Sequence, residues 1–432
     1  MTDILPTPAV WPTILLGRAN AKDPTDLDAA VKAGAFTGLR RAIRELGPTA
    51  TIATIAASGL RGRGGAGYPA GAKWRTAAGT DADRRYVVAN GYGADPASHT
   101  DRTLMVLDPF SVVEGAAIAA YAIGASEVFI AVRAEDSEVI ARVSTAIGAA
   151  TDAGFLGPDL LGSGHDIQIT VRPVQGAYML GEETVLLKAL EGKRGQPEQR
   201  PPHPAERGLF GRPTIVHNVQ TLATVPWIML AGADGFARTA IDGSPGTVLV
   251  QLRTPGGRSG VAEVPLGTPL REVLELGGPL PAGRSLKAML IGGPSGGLLP
   301  PDALDTPYDF EPLRAAGAHL GSGSVVAVDD TTDLLELVGV LTRFCSNEAC
   351  GKSIPCRIGT KRLAEIVARR EDGLLRPQDT QLATDLAADI VASALCDHER
   401  LATLPLTSGM RYFGSEFDPD RRPQAAATEA TR

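Results

Sequence analysis

The sequence predicts an α/β protein made of three consecutive parts. In the first half, short apolar runs alternate with helical stretches, which is typical of a parallel sheet covered by helices on both faces. Short strand-like runs follow, and the last quarter has the periodicity of helices. We therefore expect a Rossmann-like α/β domain, then a small α+β domain, and finally a helical domain.

The first domain is expected at residues 38–240, after an irregular extension over 1–37. Apolar runs bounded by charge or glycine indicate its strands, and longer periodic stretches indicate its helices. The expected strands are 85–90, 127–133 and 167–173, and the expected helices are 38–46, 48–60, 112–123, 137–150, 185–190 and 216–230. Ligands of such sheets bind beyond the carboxyl ends of the strands.

The other two domains are expected at 241–328 and 329–417. In the former, strand-like segments flank Pro255-Gly256-Gly257, and another apolar run covers 286–291. In the latter, helices are expected at 334–344, 357–370 and 378–395. The last residues, 418–432, are predicted to be a flexible tail.

The composition is that of a soluble globular protein. The 432 residues carry a formal charge of −7, and 44% of them are hydrophobic. No window reaches the roughly 18 consecutive apolar residues of a membrane span, and residues 1–12 lack the features of a secretory signal. We expect a cytoplasmic chain without a membrane span, with docking on a membrane complex left open. The acidic balance gives no support for nucleic-acid binding.

One stretch, residues 58–74, cannot be a core strand or an ordinary amphipathic helix. Its sequence is SGLRGRGGAGYPAGAKW, with six glycines and three basic side chains. Glycines at 62, 64, 65 and 67 let the backbone turn sharply and bring its N–H groups close to a ligand. Arg61, Arg63 and Lys73 add positive charge, so this stretch is predicted to bind a phosphate group.

All four cysteines, Cys345, Cys350, Cys356 and Cys396, lie in the last quarter of the chain. Disulfides spread through a secreted domain would not normally produce such clustering. In a cytoplasmic chain, this spacing favours a metal or iron–sulfur site.

With these segments in place, the chain from about residue 38 to 417 resembles the flavin-bearing, NADH-oxidising subunit of respiratory complex I and its relatives in NAD-linked hydrogenases and formate dehydrogenases. Three motifs carry the resemblance: GRGGAGYPAGAKW at 62–74, GAYMLGEET at 176–184 and GRPTIVHNVQT at 211–221. The resemblance implies that the three parts are a Rossmann-like flavin domain, a ubiquitin-like domain of the SLBB type and a helical iron–sulfur domain.

The resemblance also implies the cofactors and their contacts. In the family, the first motif holds the phosphate and ribityl chain of FMN and helps to shape the NADH pocket, and the second lines the flavin and nucleotide sites. Carried over onto this sequence, the implied cofactor-binding residues are Gly62, Arg63, Gly64, Gly65, Gly67, Lys73, Asn90, Asp95, Tyr178, Gly181, Glu182, Glu183, Asn218 and Thr221. His217 replaces the first of two expected asparagines, and we interpret it as a hydrogen-bonding substitute rather than a proton donor.

The loop after the first strand departs from the family pattern. Family members have Asn-Ala-Asp-Glu-Ser-Glu-Pro there, whereas this chain has NGYGADP at 90–96, so Tyr92 and Gly93 stand in place of two acids. Loss of these carboxylates would raise the potential of a bound flavin. Alternatively, the Tyr92 ring could fill part of the space for the isoalloxazine or nicotinamide ring.

The cysteine pattern departs as well. The family holds a [4Fe–4S] cluster through C-x-x-C-x-x-C and a distant cysteine. Cys350, Cys356 and Cys396 match this pattern, but Ser353 occupies the second ligand position.

Three interpretations of this departure remain open. Cys345 replaces the missing thiolate; or Ser353 ligates through oxygen or leaves one iron open; or the cluster is absent and the cysteines are buried apolar residues. We favour four thiolates, from Cys350, Cys356, Cys396 and Cys345, because chance would not be expected to keep three thiols at family positions with a fourth nearby. Asp397 and His398, beside Cys396, are residue types that usually serve as polar residues at a helix end, although either could be an alternative ligand.

The resemblance implies an electron-input subunit. NADH would dock over FMN, hydride would pass to the flavin, and electrons would leave one at a time through the cluster to a separate iron–sulfur subunit, since this chain has no ferredoxin-like domain of its own. An alternative hypothesis is a relay or scaffold subunit of a redox complex that has lost nicotinamide oxidation through Tyr92 and Gly93. A third hypothesis keeps the flavin but takes electrons from a different donor.

Overall fold

The computed structural model describes residues 3–417. The expected tail at 418–432 lies outside the described residues.

Four strands form the first sheet. They are β1 Tyr86–Gly91, β2 Glu127–Arg133, β3 Gln168–Val174 and β4 Thr214–Asn218. All are parallel, in the order β3-β2-β1-β4, and Asn90 at the end of β1 pairs with Asn218 at the end of β4. The chain places β2 and β3 on one side of β1 and β4 on the other, so the topological switch point lies between β1 and β4. Ligands of open α/β sheets bind at such a point.

Helices precede, connect and follow the strands of this sheet and cover both of its faces. They are α1 Leu27–Lys32, α2 Thr37–Arg41, α3 Gly47–Ala57, α4 Ala70–Gly79, α5 Thr100–Leu107, α6 Pro109–Ile123, α7 Ser137–Asp152, α8 Glu183–Leu190, α9 Pro204–Arg207 and α10 Val219–Ala237. Val87 and Ala89 belong to the core that contains α6 and α10, whereas Tyr86 and Val88 belong to the core that contains α8. Because alternate residues of a strand point to opposite faces, both faces of β1 are covered.

Helices α6 and α10 approach each other closely. A Cβ atom added at Gly115 would lie 1.9 Å from the carbonyl oxygen of Leu222. Only glycine permits this approach. Helix α6 is buried along its whole length, and its alanines keep the distance between the two helices short. This packing holds the long helix that follows β4 against the middle of the domain.

The structure corrects one expected element. The sequence predicts a single helix over 216–230, but Thr214–Asn218 is the strand β4, and the helix begins at Val219 with Asn218 as its N-cap. The β-branched run of β4 favours a strand, yet it joins the apolar stretch of α10 without a glycine or proline to mark the boundary. The helices α4 and α5 were also not expected.

A second sheet follows the first domain. Its strands are β5 Thr247–Arg253, β6 Gly260–Pro265, β7 Leu286–Ile291, β8 Gly297–Leu299 and β9 Ser324–Asp329, with helices α11 Leu270–Glu275 and α12 Phe310–Ala316. The order is β6-β5-β9-β7-β8, and the only parallel contact among these strands joins β5 to β9. A second sheet of mixed strands, separate from the first, is therefore present.

The N-terminal segment contains the helix α1, which was not expected, and is otherwise irregular but packed. Ile4 forms a parallel β-bridge with Val261 of the edge strand β6. Leu5 is buried in the core of the second sheet. The backbone N–H groups of residues 14–16 donate to the buried Glu263 carboxylate at 2.6 to 2.8 Å. Phe36 lies in the core of the first domain, so the segment that was expected to be an extension connects both domains.

The C-terminal region is helical. Its helices are α13 Leu334–Glu348, α14 Ile354–Glu371, α15 Asp379–Ala392, α16 Asp397–Leu401 and α17 Leu404–Tyr412. The first three correspond to the predicted helices. Residues of α13, α14, α15 and α17 share one core with Ala288, Leu290 and Leu298 of the second sheet, so the helical region packs directly on that sheet.

Within residues 3–417, no single helix is long and apolar enough to cross a membrane. Helices α5 and α6 meet the length and composition criteria only as a pair, and they are bent by 96° relative to each other.

Candidate functional site

The crevice at the switch point is lined by three segments that the sequence singles out. The amide of Asn90 donates to the carbonyl of Gly181 at 3.2 Å. On the other side, a Cβ atom added at Gly64 would lie 3.6 Å from Cβ of Asn218. The glycine-rich loop, the end of β1 and the Gly181–Glu183 segment therefore meet at the carboxyl edge of the sheet.

The loop glycines fall into two groups. Gly65 and Gly67 have φ of +99° and +67°, and an added Cβ would lie 3.2 Å from Gly321 or 2.6 Å from the Phe310 ring, so the fold itself requires them. Gly62 and Gly64 have ordinary φ, and a Cβ at either would meet nothing closer than 3.6 Å. A side chain at either position would make only ordinary contacts, so internal packing does not require glycine there, and close approach of a phosphate-bearing ligand is the remaining explanation that the sequence predicts.

A network of ion pairs borders this space. Lys73 Nζ lies 2.6 Å from Glu183 Oε2 and also donates to the carbonyl of Val216 at 3.2 Å. Arg200 pairs with Glu183 at 3.2 Å and with Glu182. Burial opposes ionisation of Glu183, but Lys73 and Arg200 outweigh burial and hold its pKa below the ordinary value. Glu183 is therefore charged at neutral pH and is held between two cations.

Glu182 also caps α8. One oxygen of its carboxylate accepts from the backbone N–H groups of Thr184 and Val185, each at 2.9 Å. This is the simple helix-capping role that two acids at a helix start often have. Arg200, by contrast, was not anticipated, because it lies in a proline-rich loop with no periodic pattern that would point it toward either acid.

Two predicted site residues hold the glycine-rich loop in place. The guanidinium of Arg63 is buried and donates to the carbonyls of Arg61, Pro245 and Thr247 at 2.7 to 2.9 Å. Burial, opposed by Asp309, lowers its pKa to about 10. The backbone N–H of Arg63 donates to Thr221 Oγ1 at 2.8 Å. The Arg63 side chain thus faces the second sheet rather than the crevice.

The start of α10 adds further fixed polar groups. Asn218 donates to Asp101 at 2.6 Å and accepts from the backbone N–H of Gln220 at 2.8 Å. His217 Nε2 accepts from the indole N–H of Trp74 at 2.8 Å. Burial, with a smaller contribution from Lys73, lowers the pKa of His217 to about 3. This contact and the low pKa agree with the prediction that His217 is a hydrogen-bonding residue and not a proton donor.

Tyr92 lies inside the protein. Its side chain is 1% exposed, its hydroxyl donates to the carbonyl of Gly176 at 2.7 Å, and the guanidinium of Arg133 lies 4.6 Å from the ring centre. The ring belongs to an apolar cluster with Val174 and Leu180. It therefore fills closed volume between the loop after β1 and the segment before α8.

Asp95 and Tyr178 point toward the interface with the other domains. Asp95 is buried, one of its oxygens has no hydrogen-bond partner among residues 3–417, and burial raises its pKa to about 6. That oxygen would lie 2.3 Å from a Cβ added at Gly293. The Tyr178 hydroxyl is 2.7 Å from Ser295 Oγ, and its ring packs edge-on against Phe344. These two residues connect the crevice with the second sheet and α13.

The four cysteines gather near the start of α14. Cys345 lies in α13, Cys356 in the first turn of α14 and Cys396 at the N-cap of α16, and these three are buried. Burial raises the pKa of the Cys356 thiol to about 12, and Glu399, Cys396, Cys350 and Cys345 add to this effect. Cys396 belongs to the apolar cluster that contains Leu187, and Cys350 packs against the same cluster.

Thiol groups are the donors of this region, and thiolates are the usual ligands of iron–sulfur clusters. Among the described residues, no three His, Cys, Asp or Glu side chains converge closely enough to hold one metal ion. A cluster, in which each thiolate binds a different iron, needs a wider spacing. Cys345 Sγ donates to the carbonyl of Pro294 at 3.5 Å, and the buried Ser353 hydroxyl has no partner within residues 3–417. Both candidates for the fourth ligand are therefore available at this place.

A parallel sheet with a glycine-rich loop at its switch point, joined to a helical region with four gathered thiols, defines a flavin- and iron–sulfur-containing oxidoreductase. The sequence model of the Nuo51 FMN-binding domain matches residues 55–227, and that of the NADH-ubiquinone oxidoreductase-F iron-sulfur binding region matches 336–420. The chain belongs to this family, the F subunits of NADH-quinone oxidoreductases and their hydrogenase relatives.

Individual relatives cover nearly the whole chain. The NADP-reducing hydrogenase subunit HndC of Solidesulfovibrio fructosivorans is 40% identical over 92% of this chain and 81% of its own length. The NADH-quinone oxidoreductase F subunit of Streptomyces coelicolor is 39% identical over 91% of this chain and 87% of its own. A crystal structure of an NAD+-reducing [NiFe]-hydrogenase in the H2-reduced state superposes with a TM-score of 0.84 at 27% identity, over 98% of this chain and 68% of that one.

Proposed function

We propose that this chain is the electron-input subunit of a multi-subunit redox complex, which passes electrons from NADH through FMN and a [4Fe–4S] cluster to a partner iron–sulfur protein. The observation that carries the proposal is the meeting, at the switch point, of the glycine-rich loop, in which packing does not require Gly62 or Gly64, with the Lys73–Glu183 ion pair. Family membership over nearly the whole chain supports the same function.

The proposed roles of the chain's own residues follow from their contacts. Gly62, Gly64 and Lys73 bind phosphate, and Glu182 and Glu183 position the nucleotide through hydrogen bonds to its hydroxyl or amide groups. Asn90 and Gly181 fix the loop that borders the ring system, whereas Gly65, Gly67, Arg63, Asn218 and Thr221 hold the crevice in shape. FMN, when bound, supplies a hydride acceptor that releases electrons singly.

The proposed domain limits are those of the sequence prediction. We assign 38–240 to the FMN and NADH domain, 241–328 to a ubiquitin-like domain of the SLBB type and 329–417 to the cluster domain. The strand order of the second sheet supports the ubiquitin-like assignment, because its first and last strands are central, adjacent and parallel. The proposed location is the cytoplasm, and docking of the chain on a membrane complex is compatible with this proposal.

For the cluster, we propose that Cys350, Cys356, Cys396 and Cys345 are the four ligands. Cys345 is supported by its burial and by its place in α13, five residues before Cys350. Ser353 is the competing candidate, since its buried hydroxyl lacks a partner among the described residues.

Spectroscopy of the protein purified without oxygen tests the function. We expect flavin and iron–sulfur absorbance that NADH bleaches. A colourless preparation, without flavin or iron, would contradict the proposal and favour the scaffold hypothesis, which the replacement of two family acids by Tyr92 and Gly93 supports. A flavin that only other reduced donors bleach would point to a different electron source.

A further inference from the structure

Arg61, at the start of the glycine-rich loop, is held by protein groups. Its Nε–H donates to the carbonyl of Gly67 at 2.7 Å, and its two terminal nitrogens donate to the two carboxylate oxygens of Glu311, each at 2.7 Å. One terminal nitrogen also donates to Ser244 Oγ at 3.3 Å. The guanidinium lies over the ring of Phe310, 4.2 Å from its centre. Four of the five N–H groups of this side chain are therefore used inside the protein.

Phe310 and Glu311 begin α12, a helix of the second sheet. The Phe310 ring is 2% exposed and belongs to the core of that sheet. A Cβ atom added at Gly67 would lie 2.6 Å from this ring, so the loop backbone packs directly on it. The start of α12 thus contacts the loop twice, through the ion pair with Arg61 and through the ring beneath Gly67.

The hydrogen bond from Arg61 to Gly67 crosses the loop. The two ends of the loop, Arg61 and Pro69, form an isolated antiparallel bridge, and Gly64 and Ala66 between them are exposed. The Arg61 side chain therefore joins the returning half of the loop to its first residue, while the same guanidinium is paired with α12. Displacement of the guanidinium would release the Gly67 carbonyl and change the curvature of the exposed part.

We propose that Arg61, Phe310 and Glu311 form a loop clamp, by which α12 of the second sheet holds the glycine-rich loop in the shape that binds the phosphate of FMN. This inference rests on the proposed function. Arg61 is then a positioning residue that acts through Gly67, and not a ligand of the phosphate, which its charge and sequence position alone would predict. The second sheet thereby contributes to the shape of a binding site that lies at the edge of the first.

Removal of the Glu311 carboxylate separates this role from two others by the direction of the effect. If Arg61 were a phosphate ligand that Glu311 holds back, the variant would free a cation and bind FMN more tightly. If the contact were only a surface ion pair, FMN binding would not change, because the Glu311 side chain is 59% exposed and such pairs contribute little. The loop clamp predicts weaker binding.

Titration of the flavin-free protein with FMN, followed by flavin fluorescence, provides the measurement. Glu311→Ala should raise the dissociation constant by about fivefold, a typical effect for residues in direct contact. Arg61→Lys keeps the charge but cannot pair with Glu311 through two bonds and reach Gly67 as well, so it should weaken binding similarly. The double variant should bind no more weakly than Arg61→Lys alone, because both changes break the same clamp.

Glu272→Ala is the matched control. Glu272 is an exposed acid in the first turn of α11, the other helix of the second sheet, so its removal changes the charge and the helix start in the same way. This control should bind FMN as the unaltered protein does. Tighter binding by Glu311→Ala, or equal affinity of Glu311→Ala and Glu272→Ala, would overturn the proposal.

Hydrogen–deuterium exchange of the flavin-free protein tests the clamp without any ligand. The amides of Gly62, Arg63 and Ala70 donate hydrogen bonds of 2.8 to 2.9 Å that close the loop or join it to α10. These amides should exchange faster in Glu311→Ala than in the unaltered protein, and at the unaltered rate in the control variant. Equal exchange in all three proteins would overturn the proposal.

The two measurements separate this proposal from the proposed function. Faster exchange in Glu311→Ala, in a protein that binds no FMN even when unaltered, would leave the loop clamp in place and contradict the function. FMN binding and bleaching by NADH, with equal affinity and equal exchange in the Arg61 and Glu311 variants, would leave the function in place and contradict the loop clamp.

Discussion

The ammonium group of Lys73 lies 2.6 Å from a carboxylate oxygen of Glu183. This contact joins α4, directly after the glycine-rich loop, to the first turn of α8, across the crevice at the end of β1. Because Arg200 shares Glu183, the acid keeps a cation even when Lys73 turns toward a phosphate. In the proposed function, Lys73 is the group that binds phosphate, and Arg200 leaves Glu183 with a cation when it does so.

Lys73→Met should weaken FMN binding. It removes a charge-assisted hydrogen bond, for which about 1.5–3 kcal/mol is typical, so we expect a roughly tenfold to hundredfold higher dissociation constant. Flavin fluorescence during titration of the flavin-free protein measures it. Arg75→Met, an exposed cation on the same helix, is the control and should bind FMN as the unaltered protein does. Equal affinity of Lys73→Met and Arg75→Met would remove Lys73 from the site.

Cys345→Ala should lower the iron and acid-labile sulfide bound per chain by roughly half or more, because a [4Fe–4S] cluster with three thiolates is less firmly held. Ser353→Ala should leave both unchanged. Chemical analysis and low-temperature electron paramagnetic resonance of the dithionite-reduced protein provide the measurement. The reverse result, with iron lost only in Ser353→Ala, would assign the fourth ligand to the serine.

Tyr92→Phe should destabilise the protein modestly. It removes the hydroxyl that donates to the Gly176 carbonyl and leaves that carbonyl without this donor, at a cost of about 1 kcal/mol. Tyr92→Ala also empties the space of the buried ring and should cost about 3–5 kcal/mol. Denaturation midpoints measure both. Tyr68→Phe, at an exposed tyrosine, is the control, and an equal effect there would contradict the packed position of Tyr92.

Stability should depend on pH through Glu114. Burial raises the pKa of this carboxyl from 4.5 to about 7, although the backbone N–H groups of Phe36 and Leu39 partly offset burial. The folded protein then keeps a proton that the unfolded chain releases above about pH 4.5. The associated stability, about 3 kcal/mol, is fully present below pH 4.5 and is lost as pH rises through 7.

The thermal midpoint at pH 5 and at pH 8 tests this dependence. Glu114→Gln cannot ionise, so it should lose less stability between these pH values than the unaltered protein, even though its starting stability is lower. Glu45→Gln, on the exposed surface, should keep the original dependence. The same loss in all three proteins would show that other groups determine it.

Much of the fold was predictable because the signals are local. The strand 127–133 and the helix after it were placed closely, since charge and glycine bound an apolar run on both sides. The boundary between β4 and α10 was not, because no local breaker separates two apolar segments. The strand β4 is recognised only in the structure, where it pairs with β1.

The sequence by itself determined the family and the cysteine positions, because each depends on residue type and spacing along the chain, and it predicts the three-part organisation and the phosphate-type loop. The tertiary structure decided where the side chains point. It turned Arg63, Asp95 and Tyr178 toward domain interfaces, placed Tyr92 inside an apolar cluster, and brought Arg200 to Glu182 and Glu183. Side-chain direction is set by partners that lie far away in the sequence, and local patterns carry no information about them.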